Sequence, residues 1–253
     1  MSTLSPDPVD YLDRTAASSV GRAYKRHLLD LLDPGPGETA LDIGCGPGTD
    51  LAAVAERVTP AGSVIGVDRD PAMVAEARRR HPACLGVDVR KGDALALPVA
   101  DGSVDRARVD RVLHQVTDPA RALAEVRRVL RPGAVAVLAQ PDYTTLTVDP
   151  GDWRTVRTVI DHACANAITH PDVGRRLPRL ARAAGLTVEE VTATAPMFDD
   201  LEEADLVLGL TRLTARAVAA AALAPERAGD WLAELRTGPF LAVMTLFVLR
   251  VRA

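Results

Sequence analysis

The sequence predicts an α/β fold built on a mostly parallel sheet. Short β-branched or apolar runs alternate through the first half with longer segments whose apolar residues recur every three or four positions, as in βαβ units. The strand runs are apolar enough to be covered on both faces, as parallel strands usually are. A chain of 253 residues, 47% of them hydrophobic and 25% charged, is able to bury such a core.

The first half supplies alternating strands and helices. The strands are predicted at Thr39–Ile43, Ser63–Asp68, Leu85–Val89, Val104–Val109 and Ala134–Ala139. The helices are predicted at Ala16–Leu32, Thr49–Val58, Pro71–Arg80 and Pro119–Leu130. Two of these helices follow an aspartate with a proline, so the aspartate caps the helix and the proline occupies its first turn.

The second half is mostly helical and closes with two strands. Its helices are predicted at Asp152–Ala167, Asp172–Ala184, Leu201–Leu223 and Pro225–Thr237. Its strands are predicted at Leu186–Thr194 and Phe240–Val251, the second of them rich in valine, leucine and phenylalanine.

Composition and charge narrow the classes of partner. The formal net charge is −4 and basic clusters are interleaved with acids, so no nucleic acid is expected to bind. The first residues lack the basic start and apolar run of a signal peptide, and the run Phe240–Leu249 is about half as long as a membrane span. Three cysteines fit neither a disulfide framework nor paired zinc ligands. We expect a cytoplasmic monomer or homodimer that binds no membrane and no metal.

The turn after the first predicted strand is the most informative segment. Residues 40–49 read ALDIGCGPGT, in which a strand runs into Gly44, Gly46 and Gly48 and then into a helix. Glycines at the carboxyl end of such a strand let backbone N–H groups approach a ligand. A dinucleotide fingerprint would place its third glycine at position 49, which is Thr49, so nicotinamide binding is disfavoured.

Acidic residues follow the next two predicted strands. Asp68 ends the run VIGVD, where its carboxylate is able to accept hydrogen bonds from both hydroxyls of a ribose. Asp93 follows Gly92 in the next loop, where it is able to accept from an adenine amino group. The alternative is that Asp68 and Asp93 are surface carboxylates that bind no ligand.

Taken in order, these segments resemble the class I S-adenosylmethionine-dependent methyltransferases, and among them the small-molecule group that includes menaquinone and natural-product enzymes. The resemblance rests on LDIGCGPG, VIGVD, KGDALALPVADGSVDRA and RVLHQVTDPARALAEVRRVLRPGAVAVL, and it covers roughly residues 31–143. It implies a Rossmann-like, seven-stranded, mostly parallel sheet with an antiparallel last strand and helices on both faces. A single domain is expected, with an N-terminal helical lid at 1–37, a cofactor-binding core at 38–140, and helical inserts over the substrate with the last two strands at 141–253.

The same resemblance implies which residues hold S-adenosylmethionine. They are Gly44, Cys45, Gly46 and Gly48 for the methionine moiety, Asp68 for the ribose, Arg69 and Met73 beside the adenine, Gly92, Asp93 and Ala94 around the base, and Val109, Asp110 and Arg111 for the amino-acid part of the cofactor and the start of the substrate wall.

His114 is the candidate catalytic residue. Methyl transfer from a sulfonium is an in-line displacement with an activated electrophile, so alignment of donor and acceptor supplies about 7–11 kcal/mol and a base is optional. A histidine that removes a proton from a phenol or hydroxyl contributes roughly 10²–10⁴-fold. Many relatives have Gln-His or His-His where this chain has His114-Gln115, and a packed histidine is the alternative.

The candidate substrate residues are apolar or aromatic and fall in the lid and the inserts. They are Tyr11, Tyr143, Trp153, Met197 and Phe198, with core packing as their alternative role. The expected function is methyl transfer to a small, largely apolar metabolite of secondary metabolism, with the acceptor atom left open between O, N and C. The alternatives are a cofactor-binding regulator or partner subunit without catalysis, and a nicotinamide-dependent oxidoreductase.

Overall fold

Ten helices and eight strands make up the parts of the chain that the computed structural model describes, residues 7–82 and 86–253. The strands are β1 Thr39–Ile43, β2 Ser63–Asp68, β3 Val87–Lys91, β4 Val104–Asp110, β5 Leu130–Asp149, β6 Thr187–Thr194, β7 Met197–Phe198 and β8 Leu241–Arg252. The helices are α1 Pro8–Ala17, α2 Ser19–Leu32, α3 Leu51–Val58, α4 Pro71–Arg80, α5 Pro119–Val129, α6 Trp153–Asn166, α7 Val173–Ala183, α8 Leu201–Leu208, α9 Leu210–Ala219 and α10 Pro225–Thr237.

The strands form one sheet in the order β3-β2-β1-β4-β5-β8-β6. Neighbours from β3 to β5 are parallel, whereas β8 runs antiparallel between β5 and β6. The predicted mostly parallel sheet with an antiparallel last strand is confirmed. The sheet has eight strands instead of seven because the two-residue β7 also pairs with β8. The strand order reverses between β1 and β4, and ligands of open α/β sheets bind at the carboxyl ends of the strands beside such a point.

Alternate residues of the central strands pack on opposite faces of the sheet. Ala40 and Val64 lie in an apolar cluster with residues of α3 and α4. Leu41 and Ile65, their immediate neighbours in the chain, lie in the larger cluster with residues of α5 and α7. Helices therefore cover both faces, as expected, and burial on both sides explains why these strands read as continuous apolar runs.

Several predicted bounds differ from the structure. The expected helix Leu201–Leu223 is two helices, because Gly209 adopts a left-handed conformation with φ of 68° that ends α8 and begins α9. Helix α1 was not predicted, although Asp7 caps it through the Val9 amide and Pro8 occupies its first turn. Strand β5 extends to Asp149 because β8 continues to pair with it. The predicted strand Leu85–Val89 begins at Leu85, which lies outside the described residues.

The inserts after β5 build a second apolar cluster of their own. Helices α6, α8, α9 and α10 contribute to it with the far ends of β5 and β8, and its buried members include Phe198, Leu210 and Trp231. The inserts are therefore packed structure beside the strand ends. No helix within 7–82 and 86–253 combines the length and the apolar character needed to span a bilayer.

Candidate active site

A cavity of about 760 Å³ opens at the carboxyl ends of the central strands. Its volume lies within the range of about 300–1,000 Å³ that is usual for small-molecule sites. Its wall contains most of the residues singled out from the sequence. They are Tyr11, Gly44, Cys45, Gly46, Asp68, Arg69, Met73, Gly92, Asp93, Ala94, Asp110, Arg111, His114 and Tyr143. The fold thus brings together residues from the lid, from the loops after four strands and from β5.

The glycine loop after β1 is anchored to the end of β2. The Gly44 and Cys45 amides both donate to the Val67 carbonyl, at 2.7 and 3.1 Å. Gly44 has a φ of 73°, and a Cβ there would lie 2.3 Å from Cγ2 of Val112, so only glycine fits. Burial raises the pKa of the Cys45 thiol, which keeps it protonated. The loop therefore offers backbone groups and a neutral thiol to the cavity.

Asp68 is fixed in place by two backbone amides. Its Oδ2 accepts from the Gly46 amide and its Oδ1 from the Asp70 amide, each at 2.9 Å. The first bond ties the carboxylate to the glycine loop and the second ties it to the residue that caps α4. Since each carboxylate oxygen accepts more than one hydrogen bond, Asp68 keeps acceptor capacity for a ligand in the cavity.

Below the loop lies a buried charge network that the sequence analysis missed. Arg108 of β4 binds Asp42 of β1 through two contacts of 3.1 and 3.2 Å, and it also binds Asp50. Lys25 of α2 binds Asp50 and lies 3.8 Å from a carboxylate oxygen of Asp110. The signal in the sequence was the presence of charged residues inside two apolar strands, because such charges are buried only when they are paired.

The two acids of this network are shifted in opposite directions. Burial raises the pKa of Asp42 to about 6, against the effect of Arg108. Burial opposes ionisation of Asp50 as well, but Arg108 and Lys25 together hold the pKa of Asp50 well below its usual range. Asp50 is thus the permanent anion of the network, and Asp42 is the acid that titrates near neutrality.

Asp42→Asn is expected to change how stability depends on pH. Because the folded chain holds a proton on Asp42 that the unfolded chain releases near pH 4, stability falls between about pH 4 and pH 6 and then levels off. One pKa unit is worth about 1.4 kcal/mol, so the ionised Asp42 costs up to about 3 kcal/mol above pH 6. Urea unfolding should show that the native chain loses stability between pH 4 and pH 6 relative to the Asp42→Asn variant, which has no carboxyl group to ionise there. Asp88→Asn, at an exposed site, is the control, and an equal difference at both pH values would contradict the shift.

The end of β4 places two polar side chains in the cavity wall. Tyr24 Oη donates to Oδ2 of Asp110 at 3.2 Å, and the Arg111 guanidinium lies 5.7 Å from the centre of the Tyr24 ring. Arg111 itself has a φ of 56°, a strained conformation for an arginine, and its amide donates to the Ala139 carbonyl. Oδ1 of Asp110 and Nε of Arg111 are buried 3.8 Å from each other, and within the described part of the chain neither atom forms a hydrogen bond.

His114 and Tyr143 form the neighbouring part of the wall. Nε2 of His114 lies 3.0 Å from the side-chain amide nitrogen, Nε2, of Gln115 and 3.4 Å from Oη of Tyr143. Burial lowers the pKa of His114 to about 4, so its imidazole is neutral at neutral pH. Burial also raises the pKa of Tyr143 to about 12, so its phenol stays protonated. The side-chain amide of Gln115 and the hydroxyl of Tyr143 are both able to donate to Nε2 of His114, an arrangement that suits the tautomer with its proton on Nδ1.

Gln140 is a further residue that the sequence analysis missed. It is fully buried near the end of β5, and both polar atoms of its side chain lack a partner among the residues described. Nδ1 of His114 is also buried without a hydrogen-bond partner among those residues. A buried amide of this kind is costly, and the effect of Gln140 in raising the pKa of His114 places this amide beside the imidazole. A glutamine in an apolar strand was the only signal for it.

Helix α1 lies across the cavity between the core and the inserts. Arg80 of α4 binds both carboxylate oxygens of Asp13 at 2.7 Å. On the other side, Tyr11 Oη donates to the Val207 carbonyl of α8 at 3.2 Å. A Cβ on Gly46 would lie 3.2 Å from Cδ1 of Leu12, so α1 also contacts the glycine loop.

Five of the residues singled out from the sequence do not lie on the cavity wall. Trp153 is 64% exposed at the start of α6 and stacks on Arg154, and Met197 is 62% exposed. Phe198 is buried, but in the apolar cluster of the inserts. Val109 is buried in the main core. A Cβ on Gly48 would meet the His81 ring at 2.9 Å, so this glycine lets the loop pack on the end of α4. The substrate role of Trp153, Met197 and Phe198 stays a prediction, because Trp153 begins α6 and Met197 and Phe198 form β7, all outside the wall of this cavity.

The fold and the cavity at the strand ends are those expected of a class I methyltransferase, and comparison with known proteins agrees with this class. The family described as a methyltransferase domain matches residues 41–138, from β1 to β5. The chain belongs to the class I S-adenosylmethionine-dependent methyltransferases.

Individual relatives support this membership. The chain is 48% identical to an uncharacterized 37.1 kDa protein in transposon TN4556 of Streptomyces fradiae, over 98% of this chain and 72% of that protein. It is 36% identical to the demethylmenaquinone methyltransferase of Renibacterium salmoninarum, a match that covers only 54% of either protein. Geranyl diphosphate methyltransferase in complex with SAM shares the fold, with a TM-score of 0.60 at 21% identity over 99% of this chain and 92% of that one.

Proposed function

We propose that this enzyme methylates a small metabolite that binds at the His114 and Tyr143 end of the cavity. The observation that carries the proposal is that one cavity joins the glycine loop and Asp68 to a neutral imidazole and a protonated phenol. An enclosed space of this size suits a small molecule. Secondary metabolism stays our prediction for the origin of the acceptor.

The residues in the wall fit S-adenosylmethionine. Asp68 would accept from the ribose hydroxyls, and the loop from Gly44 to Gly46 would hold the methionine moiety. Oδ1 of Asp110 would accept a hydrogen bond from its amino group and Nε of Arg111 would donate one to its carboxylate, since both atoms lack a hydrogen bond among the described residues. The adenine would lie among residues that follow β2 and β3. They are Arg69, Met73, Gly92, Asp93 and Ala94.

The protein would act mainly by holding the acceptor in place. When bound, S-adenosylmethionine supplies a methyl group that its sulfonium already activates. Alignment of two reactants is worth about 7–11 kcal/mol, so the cavity walls and α1 are able to provide most of what the reaction needs. His114 would then orient the acceptor or take its proton through the lone pair on Nε2, which its pKa of about 4 leaves free at neutral pH.

His114→Ala is expected to lower kcat about 100-fold while the affinity for S-adenosylmethionine stays within a few-fold. The loss should shrink for acceptors that are already ionised, because they have no proton to give. For the native enzyme, the plot of kcat against pH should be flat on its acid side down to about pH 5, since Nε2 of His114 is unprotonated above pH 4.

His162→Ala is the control, because His162 lies on α6 outside the cavity wall, with its ring Nδ1 3.3 Å from the side-chain amide nitrogen of Asn166. Steady-state rates, donor affinity and melting temperature should be measured on the same preparations. A His114→Ala variant that melts earlier but turns over at a near-native rate would show that His114 only packs.

The acceptor itself can be found by incubating the enzyme with labelled S-adenosylmethionine and a metabolite extract, and reading the products by mass spectrometry. We expect label in one or a few small molecules. Label that enters only protein or nucleic acid would contradict the small-molecule acceptor, and donor binding without any labelled product would contradict turnover.

A further inference from the structure

Among the described residues of the cavity wall, the acidic ones all come from one part of the chain. Every carboxylate in the described part of the wall comes from residues 50–110, next to the glycine loop and the ends of β2, β3 and β4. After Tyr143, the charged residues in the wall are Arg212 and Arg216. The remaining wall residues of that segment are apolar except for Thr169. The part of the cavity built by the inserts is therefore apolar and positively charged.

Helix α9 gives these two arginines no acid to pair with. It contains no aspartate or glutamate, and Arg212 and Arg216 stand four residues apart, where like charges repel. Within 7–82 and 86–253 neither of them forms a salt bridge. The acids of α8 are engaged elsewhere: Glu202 binds Arg14, Glu203 binds Ser19, and Asp205 accepts from the Thr211 amide.

Arg212 lies near enough to the acceptor end to act on Tyr143. Burial sets the raised pKa of Tyr143, and the charge of Arg212 works against that rise. Both arginines are largely exposed, which puts them at the mouth of the cavity. Val207, Leu208 and Leu213 line the wall between the mouth and the interior.

We propose that the methyl acceptor is an amphipathic anion, with an apolar body against Val207, Leu208 and Leu213 and a carboxylate or phosphate held by Arg212 and Arg216. This rests on the proposed function, since it assigns the acceptor to the same cavity. Two guanidinium groups that stand one helical turn apart on the cavity wall match one oxyanion. The net charge of −4 opposes a polyanion, which favours a single small ligand.

The test uses the enzyme saturated with S-adenosylhomocysteine and three probes of equal chain length: octanoate, octyl phosphate and 1-octanol. We expect the native enzyme to bind at least one anionic probe 10-fold or more tighter than octanol in calorimetric titration, less so at high salt. The double variant Arg212→Gln/Arg216→Gln should bind the anions about as weakly as octanol. The anion with the higher affinity identifies the oxyanion.

Arg154→Gln/Arg179→Gln is the matched control, because it removes the same charge from two exposed positions outside the cavity. It should bind the anions like the native enzyme. Equal affinity of the native enzyme for octanol and for both anions, no detectable binding of either anion, or equal anion affinity of the two double variants would overturn the proposal.

The affinity for S-adenosylhomocysteine separates this proposal from the proposed function. If the Arg212→Gln/Arg216→Gln variant lost that affinity, the arginines would serve the cofactor carboxylate and the assignment to the acceptor would be wrong. If the native enzyme did not bind S-adenosylhomocysteine at all, the proposed function itself would fail. Normal binding of S-adenosylhomocysteine without selectivity for anions would overturn only the nature of the acceptor.

Discussion

Asp68→Ala is expected to bind S-adenosylmethionine roughly 10- to 150-fold more weakly than the native enzyme, because an unmade hydrogen bond to a charged group costs about 1.5–3 kcal/mol. Two effects should add in this variant. The ribose hydroxyls would lose their acceptor, and the Gly46 and Asp70 amides would lose the carboxylate that fixes the glycine loop to the start of α4. Calorimetric titration measures the loss directly.

Asp68→Asn separates these two effects. Its side-chain oxygen is still able to accept from one backbone amide, so the loop should keep part of its anchor while the affinity falls less than in Asp68→Ala. Asp88→Ala, at an exposed aspartate of β3 that pairs with Arg90, is the control and should bind normally. An Asp68→Ala variant with native affinity would remove Asp68 from the cofactor site.

Arg108→Met is expected to lower the free energy of unfolding by about 3–5 kcal/mol, the usual cost of leaving a buried charge without its partner. Asp42 would keep no cation at contact distance, and Asp50 would keep only Lys25. For a chain of this size, each kcal/mol shifts the melting temperature by about 2–4 °C, so a fall of roughly 6–20 °C should appear by calorimetry.

Arg106→Met is the control on the same strand. Arg106 pairs with Glu38 at 3.0 Å in a half-buried position, and exposed or half-exposed pairs are worth about 1 kcal/mol or less. The double variant Asp42→Asn/Arg108→Met should recover part of the loss, because the buried carboxylate is gone. If Arg108→Met and Arg106→Met were equally stable, the network below the glycine loop would not be a buried, coupled unit.

The cofactor half of the molecule could be predicted because its structure depends on interactions between residues that are close together in the sequence. A buried parallel strand must read as an apolar run, and the turn after β1 needs glycine where the backbone is left-handed and Val112 leaves no room for a Cβ. Asp68 could be placed because its position relative to the end of β2 fixes its position in the sheet. In these elements, the position of a residue along the chain almost determines its position in space.

The acceptor half could not be predicted in the same way. Whether Trp153, Met197 or Phe198 faces the cavity depends on how α6, α8, α9 and α10 pack on one another, and spacing along the chain does not determine that packing. Gly209 was hidden inside a continuous helical pattern, yet it splits the helix and sets the direction of α9, on which Arg212 and Arg216 lie. The buried charge network around Arg108 could not be predicted because its residues come from four separate segments of the chain.

The separate apolar cluster of the inserts has a consequence for how enzymes of this kind diverge. Because α6, α9 and α10 pack mainly on each other and on the far ends of β5 and β8, substitutions among them can reshape the acceptor wall without disturbing β1, β2 or the glycine loop. Mutations that alter selectivity and mutations that alter donor binding should thus fall on different stretches of the gene. The match to the methyltransferase family ends at residue 138, just before the acceptor half begins, as expected if ancestral donor chemistry was kept while the acceptor side was free to drift.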